Sequence, residues 1–231
     1  MSEFATITCV TDLGTDDETV GLLHSILHEL SPSSRVIDLC HHIEPNDIRA
    51  GALMLARSVP YLSPGLVLAS VGELSGRPAI AVSVGEGQSI LVGPDNGLLG
   101  AAVAVVGGAS QAVQLTNEDV HNASPGVVHP ARDIITPAIG HLAAGGSLLE
   151  LGQQIDPSLL LPSLIPVPRT EDDGSISAEV IRRTRQGAAQ LNIDRETLSG
   201  VGEVIILEFG GDQRVVRLQH PADVNPGQLA L

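Results

Sequence analysis

The sequence predicts an α/β protein in two parts. Residues 1–165 read as an N-terminal three-layer α/β domain with a mostly parallel sheet, and residues 166–231 as a small β-rich, barrel-like C-terminal domain. Three observations carry this. Apolar, β-branched runs alternate with stretches of helical periodicity, the pattern of strands joined by crossover helices. Polar and acidic residues gather just after those runs. Composition then shifts near Pro162–Gly174, where clustered prolines and Thr170-Glu171-Asp172-Asp173-Gly174 read as a linker, followed by short strand-like runs.

Ala5 to Val10 is apolar and β-branched, a buried strand. Val20, Leu22, Leu23, Ile26, Leu27 and Leu30 recur at helical spacing after it, and Ser31-Pro32-Ser33-Ser34 is a turn. Arg35 to Cys40 is a second strand. Ile48 to Val59 reads as a helix with Asp47 as its N-cap and Pro60 at its end. Leu66 to Val71 is a third strand, and Ala79–Val84 with Ser89–Val92 a hairpin pair. Gly93-Pro94-Asp95-Asn96-Gly97 is strong turn chemistry. Leu98–Val106 is a short helix, Ala112–Leu115 a strand, and Ile134–Ala144 a helix closed by Gly145-Gly146. In the second part, Ile176–Ile181, Val201–Phe209 and Arg214–Leu218 read as strands, with a turn at Gly210-Gly211.

Composition narrows the function. Of 231 residues, 43% are hydrophobic, enough for a full core, yet the aromatics are only Phe4, Tyr61 and Phe209. Any bound base must therefore lie on aliphatic or backbone surfaces. The net charge of -15, without a single lysine, excludes a phosphate-neutralising surface for nucleic acid or anionic membrane. Cys9 and Cys40 read as reduced core residues rather than a disulfide frame. No apolar run reaches about 18 residues and no basic-then-apolar leader opens the chain, so a soluble cytoplasmic protein is expected.

The stretch Val10-Thr11-Asp12-Leu13-Gly14-Thr15-Asp16-Asp17-Glu18-Thr19-Val20-Gly21 sits where a strand ends and a helix begins, the edge at which open α/β sheets bind ligands. Asp17 or Thr15 alone would cap the helix. The surplus of Asp12, Asp16 and Asp17 is either a solvated acidic turn or an acceptor site for ribose hydroxyls or a cation. Further groups follow other strands: His41 and His42, Asp47 and Arg49, Ser70 with Arg77, Asp95 with Asn96, and His129 with Arg132 and Asp133. Neighbouring His41 and His42 cannot both face one point on a strand, so no zinc pair is expected there and no metal ligand set is assigned. The plainer readings are a loop histidine for His129, a local ion pair or helix cap for Arg132-Asp133, and a tight turn for Asp95-Asn96-Gly97.

Two family resemblances rest on these motifs. Asp12-Leu13-Gly14-Thr15-Asp16-Asp17 resembles the calcium loop of the nucleoside hydrolases, but Val10 and Leu13 stand where that motif has Asp and Pro. The second resemblance runs almost end to end. Thr11 to Gly21, Asp38 to Ala52, Val92 to Leu99 and Arg132 to Gly145 are similar, in order, to four blocks of the S-adenosylmethionine hydroxide adenosyltransferases, relatives of the fluorinase and chlorinase.

That second resemblance implies an adenosyl-binding first domain and water attack on ribose C5′ of S-adenosylmethionine, giving adenosine and methionine without metal or cofactor. It implies a homotrimer with S-adenosylmethionine or adenosine as its small-molecule partner. It places Asp12 on the ribose diol, with Ser70, Arg77 and His129 at the water. Asp16, Asp17, Asn46, Asp47, Asn96, Arg132 and Asn192 become further substrate-binding candidates. Ser70 or Glu73 stands in for the family's aspartate, and Pro130 occupies the position of its histidine, with His129 displaced by one residue. Thr184 and Ala188 replace an aspartate and an asparagine of the C-terminal block, and His220 to Leu231 resembles the segment before the family's last strands, a shortened second domain. Ala131 stands where a halide-contacting serine is expected, which argues against halogenation. The alternatives that remain are a non-catalytic homologue that binds adenosine or serves as a scaffold and, ranked last, a metal-dependent nucleoside hydrolase.

Overall fold

The computed structural model describes residues 4–72, 74, 76–183, 187–194 and 196–218. Glu73, Thr184 and the segment from His220 to Leu231, each named above, lie outside them. The chain forms two compact units, Met1–Ile165 with Ile181–Arg183, and Pro166–Val180 with Thr184–Leu231.

In the first unit the elements run β1 (Thr6–Thr11), α1 (Thr19–Leu30), β2 (Arg35–Cys40), α2 (Ile48–Ser58), β3 (Leu66–Ser70), β4 (Ala79–Val84), β5 (Ser89–Pro94), α3 (Gly100–Val105), β6 (Ala109–Leu115), α4 (Thr136–Ala143) and β7 (Gly152–Ile155). One seven-stranded sheet takes the order β2-β1-β3-β5-β4-β6-β7. Strands β2, β1, β3 and β5 are parallel, whereas β4 returns antiparallel beside β5 and β6 and β7 continue antiparallel. The short loop between β4 and β5 forces that reversal, since a parallel connection needs a long crossover.

Side-chain alternation along β3 builds two cores. Leu66 and Leu68 face Leu27 of α1 and Ile139 and Leu142 of α4. Val67 and Ala69 face Leu55 of α2 and Ala102 of α3. Helices thus cover both faces, and every position of β3 and β4 is buried. The start of α2 is the one the sequence marks, whereas α1 begins after Glu18, which makes no side-chain cap bond. Asp47 Oδ1 accepts the Ala50 N–H at 2.9 Å, and Asp17 Oδ1 accepts the Thr19 N–H at 2.9 Å.

One departure has a clear cause. Before α4, residues Ala131–Ile135 form a turn of π-helix where the periodicity predicts a helix starting only at Ile134. Pro137 has no N–H to give the Asp133 carbonyl, which instead accepts the Asn122 N–H at 2.9 Å. Thr136 Oγ1 donates to the Ala131 carbonyl at 2.7 Å, closing the wider turn.

After residue 165 the chain forms short hairpins: β8 (Arg169–Thr170) with β9 (Ile176–Ser177), β10 (Val180–Arg183) with β11 (Ala189–Leu191), and β12 (Val204–Phe209) with β13 (Asp212–Arg217). Gly210 and Gly211 both take positive φ, 59° and 84°, as a two-residue hairpin turn requires. Among the described residues, no helix is long and apolar enough to cross a membrane.

Candidate active site at the strand exits

Asp12 follows β1 and ties three strand exits together. Its Oδ2 accepts the Asn46 N–H at 2.9 Å and the Gly72 N–H at 3.0 Å, while its own N–H donates to the Ser70 carbonyl at 3.2 Å. Asn46 and Gly72 sit at φ of 63° and 73°, left-handed conformations suited to asparagine and glycine. These conformations aim two backbone donors from different loops at one carboxylate oxygen. Oδ1 makes no hydrogen bond among the described residues, so a half-buried carboxylate is fixed in place with acceptor capacity to spare.

The acidic loop beyond Asp12 divides its labour. Asp16 is exposed. The Thr19 N–H and side chain hold Asp17 below the usual carboxylate range, and the nearby His129 imidazole adds a smaller pull. Thr15 Oγ1 meets His42 Nε2 at 3.1 Å and Thr11 Oγ1 meets His41 Nδ1 at 2.8 Å, so the two histidines serve separate contacts. Asp47 is occupied as the α2 cap.

Ser70 ends β3, buried, opposite Thr11 of β1. Arg77 donates through Nε and Nη2 to Asp95 Oδ2, the first at 2.8 Å, and through Nη2 to the Leu159 carbonyl at 3.2 Å. Asp95 is only 2% exposed, and its Oδ1 accepts the Leu161 N–H at 3.0 Å. Asn96 is equally internal: its Nδ2 donates to the Val71 carbonyl at 3.0 Å and its Oδ1 accepts the Leu98 N–H at 3.2 Å. The Asp95-Asn96 turn therefore clamps the β3 and β5 exits and the 159–161 segment rather than forming a plain surface turn.

On the π-helical turn, Arg132 grips Asp133 with Nε and Nη2, both at 2.7 Å, and Nη2 also reaches Ser124 Oγ at 3.1 Å. Asp133 Oδ2 accepts the His129 N–H at 2.8 Å. His129 Nδ1 is buried with no hydrogen-bond partner among the described residues, an open nitrogen near the acidic loop. A cleft of about 480 Å³ opens beside this pair, lined by Asn122, Ser124, Pro125, Val127, Arg132 and Asp133, within the range of small-molecule sites. A second cavity, beside Asp95 and Leu99, is about 190 Å³, small for a nucleoside.

Hydrogen bonds from Arg132 hold Asp133 below the usual carboxylate range, with help from the His129 N–H and against the opposing push of burial. A depressed pKa stabilises the fold above the unfolded value of about 4 and loses that contribution as pH falls through the folded value. Asp133→Asn is therefore expected to cost about 2 kcal/mol at neutral pH. The gap to wild type should close below about pH 4 in urea titrations across pH. A gap independent of pH would contradict this role.

Asn192 belongs to the second unit, where its Oδ1 accepts the Glu179 N–H at 2.8 Å and its Nδ2 donates to the Pro166 carbonyl at 2.9 Å. The sequence reading missed Asp95 as the anchor of Arg77, since nothing local marks a partner 18 positions away. It also missed a cluster of His24, Asp38 and His41, whose ligand atoms lie within 4.8 Å of one another. Burial pushes the Asp38 carboxyl up, but contacts with His41 and His24 together outweigh it and hold the group below its ordinary range. Cys9 is free, and burial, with the Asp38 charge, pushes its thiol up to about 12, so it is an inert core group.

Fold and site together define an α/β protein with polar groups at its strand exits and one carboxylate, Asp12, anchored there by backbone donors from two loops. Residues 7–152 match the SAM hydroxide adenosyltransferase N-terminal domain, and the chain belongs to that family. It is 40% identical over 223 residues to an (R)-S-adenosyl-L-methionine hydrolase of Salinispora tropica, covering 96% of this chain and 84% of the relative. A fluorinase of Actinopolyspora mzabensis is 25% identical over 97% of this chain and 81% of its own. An uncharacterized conserved protein from Thermotoga maritima has the same fold, with a TM-score of 0.83 at 24% identity over 97% of this chain and 87% of that one.

Proposed function

We propose that this protein hydrolyses S-adenosylmethionine to adenosine and L-methionine, like the relatives named for that reaction. Water oxygen bonds to ribose C5′ as the C5′–sulfur bond breaks. The sulfonium leaves as a neutral thioether, and the water's proton passes to a base or to solvent. Because the leaving group is already cationic, alignment in a dry pocket supplies most of the acceleration, and no metal or cofactor enters the step.

The observation that carries this reading is Asp12: two backbone donors hold one oxygen, leaving the other to accept from a ribose diol. In the same reading Ser70 and Arg77 orient the water, and His129 serves through the Nδ1 that has no partner in the described structure. Asp16, Asp17, Asn46 and Arg132 shape the adenosyl side. Asp47 and Asn96 act as positioning groups through the bonds described above, and Asn192 is a substrate-binding candidate carried by the second unit. The enzyme works as a soluble cytoplasmic homotrimer. The exposed pair Ile206 and Val215, opposite each other on β12 and β13, supports a partner for that hairpin.

Purified protein incubated with S-adenosylmethionine is expected to release adenosine and methionine in equal amounts by chromatography, and release no faster than without protein would overturn the proposal. A second reading, a non-catalytic adenosine binder, is favoured by Ser70 in place of a carboxylate and by Arg77 already engaged with Asp95. It predicts calorimetric binding of adenosine without turnover.

A further inference from the structure

We propose that His24, Asp38 and His41 form a binding site for a divalent transition-metal ion of the zinc class. Asp38 Oδ1 lies 2.9 Å from His24 Nε2 and 3.0 Å from His41 Nε2. Ligands at about 2.0–2.2 Å from a common ion stand roughly 2.8 to 3.6 Å apart at neighbouring vertices, so both Asp38 separations fit a coordination shell, and the three ligand atoms all lie within 4.8 Å of one another. Two imidazoles and one carboxylate favour zinc, cobalt or nickel over calcium or magnesium, which prefer all-oxygen shells.

His41 supplies the independent evidence for a ligand. It is 5% exposed, and its Nε2 lies close to the Asp38 carboxylate yet makes no aligned hydrogen bond. Its Nδ1 is bonded to Thr11 Oγ1 at 2.8 Å. When Nδ1 carries the proton and donates to Thr11, Nε2 presents a buried lone pair towards a carboxylate oxygen, and a cation satisfies both. Metal-bound histidines commonly have their second nitrogen fixed in this way. His24 comes from α1, Asp38 from β2 and His41 from the turn just after it, so an ion would staple the helix to the edge strand. Through Thr11 it would also steady the residue before Asp12. The charge of -15 favours a cation at this half-exposed mouth.

The site stands apart from the hydrolase reading, and its test needs no turnover. The full chain, stripped with chelator, is titrated with Zn²⁺ by calorimetry and with Co²⁺ by visible absorption. A single ion per chain is expected to bind, with cobalt bands of a nitrogen–oxygen shell and a thermal midpoint raised by zinc. His24→Gln and Asp38→Asn, both at half-exposed positions, should each weaken zinc binding at least about 10-fold, and Thr11→Val about 10-fold through His41. No zinc-dependent heat or thermal shift, or zinc binding unchanged in both ligand variants, would overturn the proposal and leave Asp38 as a carboxylate bridging two histidines.

Discussion

Asp12→Ala is expected to lower kcat/KM for adenosine release by about 10³-fold, a loss typical of removing a preorganised polar contact to the reacting substrate. Two effects combine. The substrate loses its charged acceptor, and the Asn46 and Gly72 N–H groups lose the oxygen that holds their loops in place. Asp12→Asn separates them. The amide oxygen still accepts from both backbone donors, so the loops stay put, but an NH2 donor then faces the diol in place of an acceptor oxygen. A loss of about 10- to 100-fold is expected for that variant. Steady-state kinetics on folded protein check both values, and an alanine variant within a few-fold of wild type would remove Asp12 from the substrate.

Arg77→Met is expected to destabilise the first unit by about 3 kcal/mol, because it strands the 2%-exposed Asp95 carboxylate with a single remaining donor, the Leu161 N–H. That corresponds to a thermal midpoint lower by about 6–12 °C. Asp95→Asn should cost less, since its amide oxygen keeps the Leu161 bond and the released guanidinium is half-exposed and can hydrate. This asymmetry is the signature of a buried charge held by a partly solvated partner. Equal losses in the two variants, or none in Arg77→Met, would show that the pair is not the clamp inferred from its geometry.

Much of this was legible in the residues. The β-branched runs fall on β1, β3 and β5, and the acidic and histidine motifs fall where strands end, because strand exits are where an α/β sheet leaves polar groups unburied by helices. Asp47 was readable as a cap because capping is local. The Arg77–Asp95 clamp was not, since the contact closes across the sheet and the local Asp-Asn-Gly pattern carries the signature of an ordinary turn. The π-helical turn hides for a similar reason: Pro137 at the start of α4 marks a helix, while the Asn122 N–H that takes over the Asp133 carbonyl comes from a distant loop. The edge strand β7, Gly152-Gln153-Gln154-Ile155, lacks alternation and escapes notice because its edge position leaves it little to bury. The His24–Asp38–His41 cluster joins a helix to a strand with no recognisable spacing.

The measurement that bears most directly on the central claim is hydrolysis of S-adenosylmethionine in heavy-oxygen water, with mass analysis of both products. Attack of water on a C5′ held by Asp12 predicts label in the 5′-hydroxyl of adenosine and none in methionine. Unlabelled adenosine, or label carried by the amino-acid product, would contradict the account.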